Sequence, residues 1–111
     1  MSSRFEQVED VLAAVQRHFR PEQAGGVEVV GQLNLTGEGG GQWVLRIHDG
    51  RLTMTPGTTD DPQAMQLTAS VADFLALANG ELDAMKAYFT GKVRFKGSLR
   101  DAYRLMDLFR F

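Results

Sequence analysis

The sequence predicts an α+β fold with the element order αββββααβα. Three observations predict it. The chain opens on one apolar stripe at helical spacing. Five later segments alternate apolar and polar residues at period two, and most are joined by short turns, which makes most strand pairs antiparallel. The remaining apolar stretches are short, carry helix start and stop residues, and supply the layer that covers one face of the sheet.

In the first element Phe5, Val8, Val11, Leu12, Val15 and Phe19 fall on one side of a helix. Ser3 and Glu6 offer a capping-box start and Pro21 a stop. In Val27–Thr36 the apolar positions are Val27, Val29, Leu33 and Leu35. In Gln42–Asp49 Trp43, Leu45 and Ile47 alternate with Arg46 and His48. Asp49–Gly50 provides the positive φ angles of a tight hairpin turn, after which Leu52 and Met54 resume the alternation in Arg51–Thr55. Met65 and Leu67 do the same in Met65–Ala69. Ser70–Asp73 then starts a helix that Asn79–Gly80 ends, and Asp83 caps another that runs to Gly91. Lys92–Lys96 alternates again, with Val93 and Phe95 on the apolar side. Ser98 opens a final helix carrying Leu99, Ala102, Leu105, Met106 and Phe109.

Length and composition set the class. At 111 residues the chain is expected to form one domain over residues 1–111. Hydrophobic residues make up 43% and charged residues 23%, the balance of a globular protein rather than a disordered one. No uncharged apolar run approaches the ~18 residues of a membrane span, and the acidic start Glu6–Glu9–Asp10 does not suit a signal peptide. The absence of cysteine excludes a thiolate nucleophile, a disulfide scaffold and a Cys-ligated metal. It suits a reducing compartment, so a cytoplasmic location is expected. Gly37–Gly41 and Pro56–Pro62 read as surface loops.

Catalytic chemistry finds little support. There is no serine elbow. His18 and His48 lie on different elements, with His48 on the polar side of its strand. Asp60–Asp61 lacks the spaced oxygen ligands of a calcium loop. The glycine-rich segment lacks the Lys-Ser/Thr of a phosphate cradle. We therefore expect no enzyme activity, no metal and no cofactor.

Charge is divided unevenly. The net charge is −2, which does not favour nucleic acid as a partner. Residues 1–85 carry five arginines against twelve acids, or −7; residues 86–111 carry seven cations against two acids, or +5. Lys92, Arg94 and Lys96 share one strand face, and Arg100 and Arg104 share one helix side at i, i+4. This set reads either as solvated charge or as a docking surface for an anionic membrane or the phosphates of an acyl-CoA.

Three motifs point further. Gly41–Gly50 follows the pattern G-x-W-x-L-x-I-x-x-G, Asp73–Gly80 follows D-F-x-x-L-x-x-G, and Asp83–Gly97 carries aromatic, glycine and lysine positions ending in alternating cations and apolar residues. In this order and spacing they resemble the sterol carrier protein-2 (SCP-2) family of nonspecific lipid-transfer domains. The resemblance covers about residues 25–111 and looks like a stand-alone prokaryotic member.

The resemblance implies a five-stranded, mostly antiparallel sheet with about four helices on one face and an apolar cavity between them. It implies binding of fatty acids, fatty acyl-CoA, sterols or isoprenoid-like lipids without catalysis. Carried over by face and motif, Trp43, Leu45, Ile47, Met54 and Leu67 would line the cavity from the sheet. Phe74, Leu75, Met85 and Phe89 would line it from the middle helices, and Leu105, Met106 and Phe109 from the last. The chain stops at its last helix, which leaves a homodimer as one way of completing the tunnel. It ends in Phe109–Arg110–Phe111 instead of the peroxisomal tripeptide of many eukaryotic members. The alternative reading is an interaction module with a closed core that partners a biosynthetic enzyme.

Overall fold

The computed structural model describes residues 4–23 and 25–102. Their order is α1 (Val8–His18), a 3-10 turn (Pro21–Gln23), β1 (Val29–Thr36), β2 (Gly41–His48), β3 (Arg51–Pro56), β4 (Met65–Ser70), α2 (Val71–Ala78), α3 (Ala84–Phe89) and β5 (Val93–Lys96). A further helix begins at Leu99; its continuation beyond residue 102 lies outside the described residues. The expected αββββααβα order is the observed one.

The strands form one sheet in the order β3-β2-β1-β4-β5. Three of its pairings are antiparallel and the central one, β1 with β4, is parallel. A parallel pair cannot be joined by a tight turn. The chain leaves the edge strand β3 and passes two strands before it enters β4, and the segment 57–64 makes this passage. It runs over the sheet face that carries Gln32 and Val44. The Gln32 side chain donates from Nε2 to the Gly57 carbonyl at 3.1 Å and accepts the Thr59 N–H at 2.9 Å. The proline- and glycine-rich loop thus acts as a strap, and beneath it Gln32 and Val44 are buried on what would otherwise be the wet side. Asp61 shapes the strap by accepting the Gln63 N–H at 2.9 Å.

Local signals explain most boundaries. Asp49 and Gly50 have φ of 52° and 71°, the double positive φ of the expected hairpin turn. A side chain at Gly40 would collide with the Leu35 carbonyl, so the turn into β2 requires glycine. The Ser70 hydroxyl accepts the Asp73 N–H at 3.0 Å, and the Asp83 carboxylate accepts the Lys86 N–H at 3.0 Å. Both helices therefore start with a side-chain cap. α2 closes with the Glu81 N–H on the Ala76 carbonyl and the Gly80 N–H on the Leu77 carbonyl, the bond pair of a Schellman ending with Gly80 at positive φ.

The first helix departs from its expected start. α1 begins at Val8, with Gln7 extended and no side-chain cap. Glu6 does not cap it, and Ser3 lies outside the described residues. The cause is tertiary: both backbone groups of Phe5 are bonded to the Asn79 side chain, which holds this stretch out of the helix.

Two clusters build the core. Val8, Leu33, Leu35, Ala69, Ala87 and Val93 form one, with Trp43, Leu67 and Phe74 packed against it. Phe19, Ile47 and Leu52 form the other, joined by Val15 and Met54. Leu45 touches both.

Candidate apolar site on the inner sheet face

Strand register places the sheet residues named for a cavity on one face. Leu33 lies opposite Trp43 and Leu67, Leu45 opposite Met54, and Ile47 opposite Leu52. Laterally paired residues point to the same side. This inner face carries the helices. The five residues have different surroundings, however. Ile47 is buried in the second cluster, whereas Trp43, Leu45, Met54 and Leu67 are half-buried.

The half-burial continues on α2. Its sequence, Val-Ala-Asp-Phe-Leu-Ala-Leu-Ala, is almost wholly apolar, yet the helix has no buried residue. Phe74 and Leu75 are both half-buried. A helix that apolar ordinarily sits inside a core. Here Val71, Phe74 and Leu77 pack on the same cluster as half-buried Trp43, Leu45 and Leu67 and share their intermediate exposure, so the inner layer is apolar without being closed among the described residues.

α3 divides its residues sharply. Ala87 is fully buried and anchors the helix, while Met85 is 52% and Phe89 76% exposed. Tyr88 is exposed beside Phe89, the rings edge-to-face at a centroid separation of 5.7 Å. Leu99, at the start of the last helix, is exposed too. Leu105, Met106 and Phe109, together with Arg104, lie outside the described residues.

Of the basic set, Arg94 and Lys96 lie on β5, Lys92 precedes it and Arg100 follows it. Lys92, Arg94, Lys96 and Arg100 are all exposed. Arg94 and Lys96 sit on the outer sheet face, opposite Thr68 and Gln66. None of the four has an acidic partner among the described residues. Between Ala84 and Arg100 the chain carries five cations and no acid.

A polar feature escaped sequence reading. An open groove of about 900 Å³ is lined by Glu28, Arg46, His48, Arg51, Asp61 and Asp101, among others. Its floor joins outer-face positions of β2 and β3 to the strap, residues far apart in the chain that no local pattern links. His48 lies on the polar side as expected, with Nδ1 3.0 Å from Glu28 and Nε2 3.2 Å from Asp49. All three side chains are well exposed, and no group of three His, Asp or Glu suited to a metal occurs among the described residues.

Comparison with known proteins agrees with this fold. The profile of the SCP-2 sterol transfer family matches residues 9–110. Hydroxysteroid dehydrogenase-like protein 2 of Rattus norvegicus is 27% identical over 94% of this chain, which corresponds to 20% of that protein. The chain thus spans about a fifth of the length of this curated relative. Palmitated SCP2L2 from Aedes aegypti has the same fold, with a TM-score of 0.70 and 24% identity over 92% of this chain and 93% of that one. A segment of the sec-alkyl sulfatase PisA1 superposes with a TM-score of 0.79 at 17% identity, covering 97% of this chain and 17% of the enzyme.

Proposed function

The chain belongs to the SCP-2 sterol transfer family, and we propose that it is a non-catalytic lipid-binding and transfer domain whose ligand lies between the inner sheet face and the helices. The observation that carries this reading is the unburied apolar layer: α2 has no buried residue, and its Val71, Phe74 and Leu77 pack on the same core cluster as half-buried Trp43, Leu45 and Leu67. Apolar surface left open is worth about 25 cal/mol per Å² when a ligand covers it, before ordering costs. The ligand classes are fatty acid, fatty acyl-CoA, sterol and isoprenoid-like lipid; the palmitate carried by the Aedes aegypti relative supports the first. The same open layer argues for a carrier over a closed-core interaction module. A cytoplasmic location suits this role.

Exchange with membranes uses the α3 side. Lys86, Lys92 and Arg100 provide positive charge there, and Met85, Tyr88, Phe89 and Leu99 provide exposed apolar surface. Exposed apolar residues among exposed cations suit an anionic bilayer surface.

Trp43, the single tryptophan, is a built-in reporter of the site. Titration with a bromine-labelled fatty acid is expected to quench its emission saturably at one equivalent. Absence of saturable quenching by fatty acid, acyl-CoA and sterol probes alike would overturn the reading.

A further inference from the structure

We propose that Gly31 sets the depth to which a linear acyl chain reaches into the inner-face site, an inference that rests on the lipid-binding reading above. β1 is the central strand of the sheet. Its inner-face positions are Val29, Gly31, Leu33 and Leu35, which places a residue without a side chain in the middle of the floor. Gly31 lies opposite Leu45 on one side and Met65 on the other. It also separates the two core clusters: Leu33 and Leu35 belong to one, and Ile47, opposite Val29, belongs to the other.

Neither backbone nor packing requires glycine here. The φ of Gly31 lies outside the left-handed region, and a Cβ built on it would meet no heavy atom of the described residues within 4 Å. A position at the centre of a sheet's core face ordinarily meets close-packed neighbours. Glycine in a strand interior weakens the strand and often marks close approach of a ligand to the backbone. At Gly31 the space over the backbone is the feature that glycine preserves. Among the described residues the gap is one residue wide along β1, with Leu45 and Met65 as its neighbours across the sheet. That shape takes the end of an unbranched chain better than a fused ring system.

The test compares laurate and palmitate by isothermal titration calorimetry on the wild type, Gly31→Ala and Gly31→Leu, with melting temperatures for each. The wild type is expected to bind palmitate more tightly than laurate. Each buried methylene is worth about fourfold in affinity, so Gly31→Leu, by blocking the last few, is expected to weaken palmitate binding by roughly tenfold or more. Laurate binding is expected to change less than about threefold, Gly31→Ala to fall between, and neither variant to melt lower. Unchanged or equal effects on the two acids would overturn the role of Gly31 while leaving the carrier reading intact. A marked fall in melting temperature for both variants would overturn it as well, since protein would then fill the space. A wild type that binds neither acid would overturn both the role of Gly31 and its fatty-acid premise.

Discussion

Asn79 holds Phe5 by both of its backbone groups: the Asn79 Oδ1 accepts the Phe5 N–H at 2.7 Å, and its Nδ2 donates to the Phe5 carbonyl at 2.9 Å. Arg4 forms an ion pair with Glu81 beside it. The end of α2 is thereby tied to the segment that leads into α1, 74 residues away in the chain. Asn79→Ala removes both bonds and should cost about 1–2 kcal/mol. Urea unfolding is expected to show an earlier midpoint with an unchanged slope.

Among the described residues, one side chain ties the strap to the outer face, beside a backbone bond from the Gly57 N–H to the Gln42 carbonyl. Gln32 is buried and bonds to Gly57, Thr59 and Asn34. Gln32→Ala leaves the Thr59 N–H without its acceptor, a loss of roughly 1–3 kcal/mol. Amide exchange at Thr59 should quicken well before that of β1 and β2. Unchanged exchange there would mean that the strap is held by something other than Gln32.

Helices α2 and α3 start on single side-chain caps, so Ser70→Ala and Asp83→Ala should each destabilise by about 1 kcal/mol. The two caps share no partner, and their effects should add in the double variant. Thermal denaturation of the two singles and the double checks this.

The exposed edge of α3 separates docking from folding. Phe89→Ser removes a side chain that is 76% exposed, so stability should stay within about 0.5 kcal/mol. Sedimentation with vesicles containing anionic lipid should nevertheless fall severalfold. Binding of the wild type should also weaken with added salt, because exposed charges are screened. Binding independent of both Phe89 and lipid charge would contradict docking through this edge.

Where a feature depended on neighbours in sequence, it was legible. The alternation in β2 and β3 identified their inner faces. Ser70, Asp83 and Asp49–Gly50 marked helix starts and a turn through residues one to three positions away. Features made by distant contacts were hidden. The start of α1 is displaced by Asn79, and Val44 is buried on the polar side because the strap crosses it. The parallel pairing of β1 with β4 follows from the path of that strap, which composition alone marks as loop. Sequence put Trp43, Leu45, Met54 and Leu67 on one sheet face, as the strand register does. It could not separate buried Ile47 from its half-buried neighbours, because burial depends on which helix lies above. Nor could it tell that α3 anchors through Ala87 and turns Met85 and Phe89 outward, since all three residues are apolar.

The most direct test of the carrier reading is native mass spectrometry of the purified protein before and after delipidation, followed by organic extraction and identification of what is released. The expected result is a set of adducts that delipidation removes, fatty acid or another apolar lipid in the extract, and restoration of an adduct on adding palmitate. A single mass equal to that of the bare chain, unchanged after incubation with fatty acid, acyl-CoA and sterol, would contradict it.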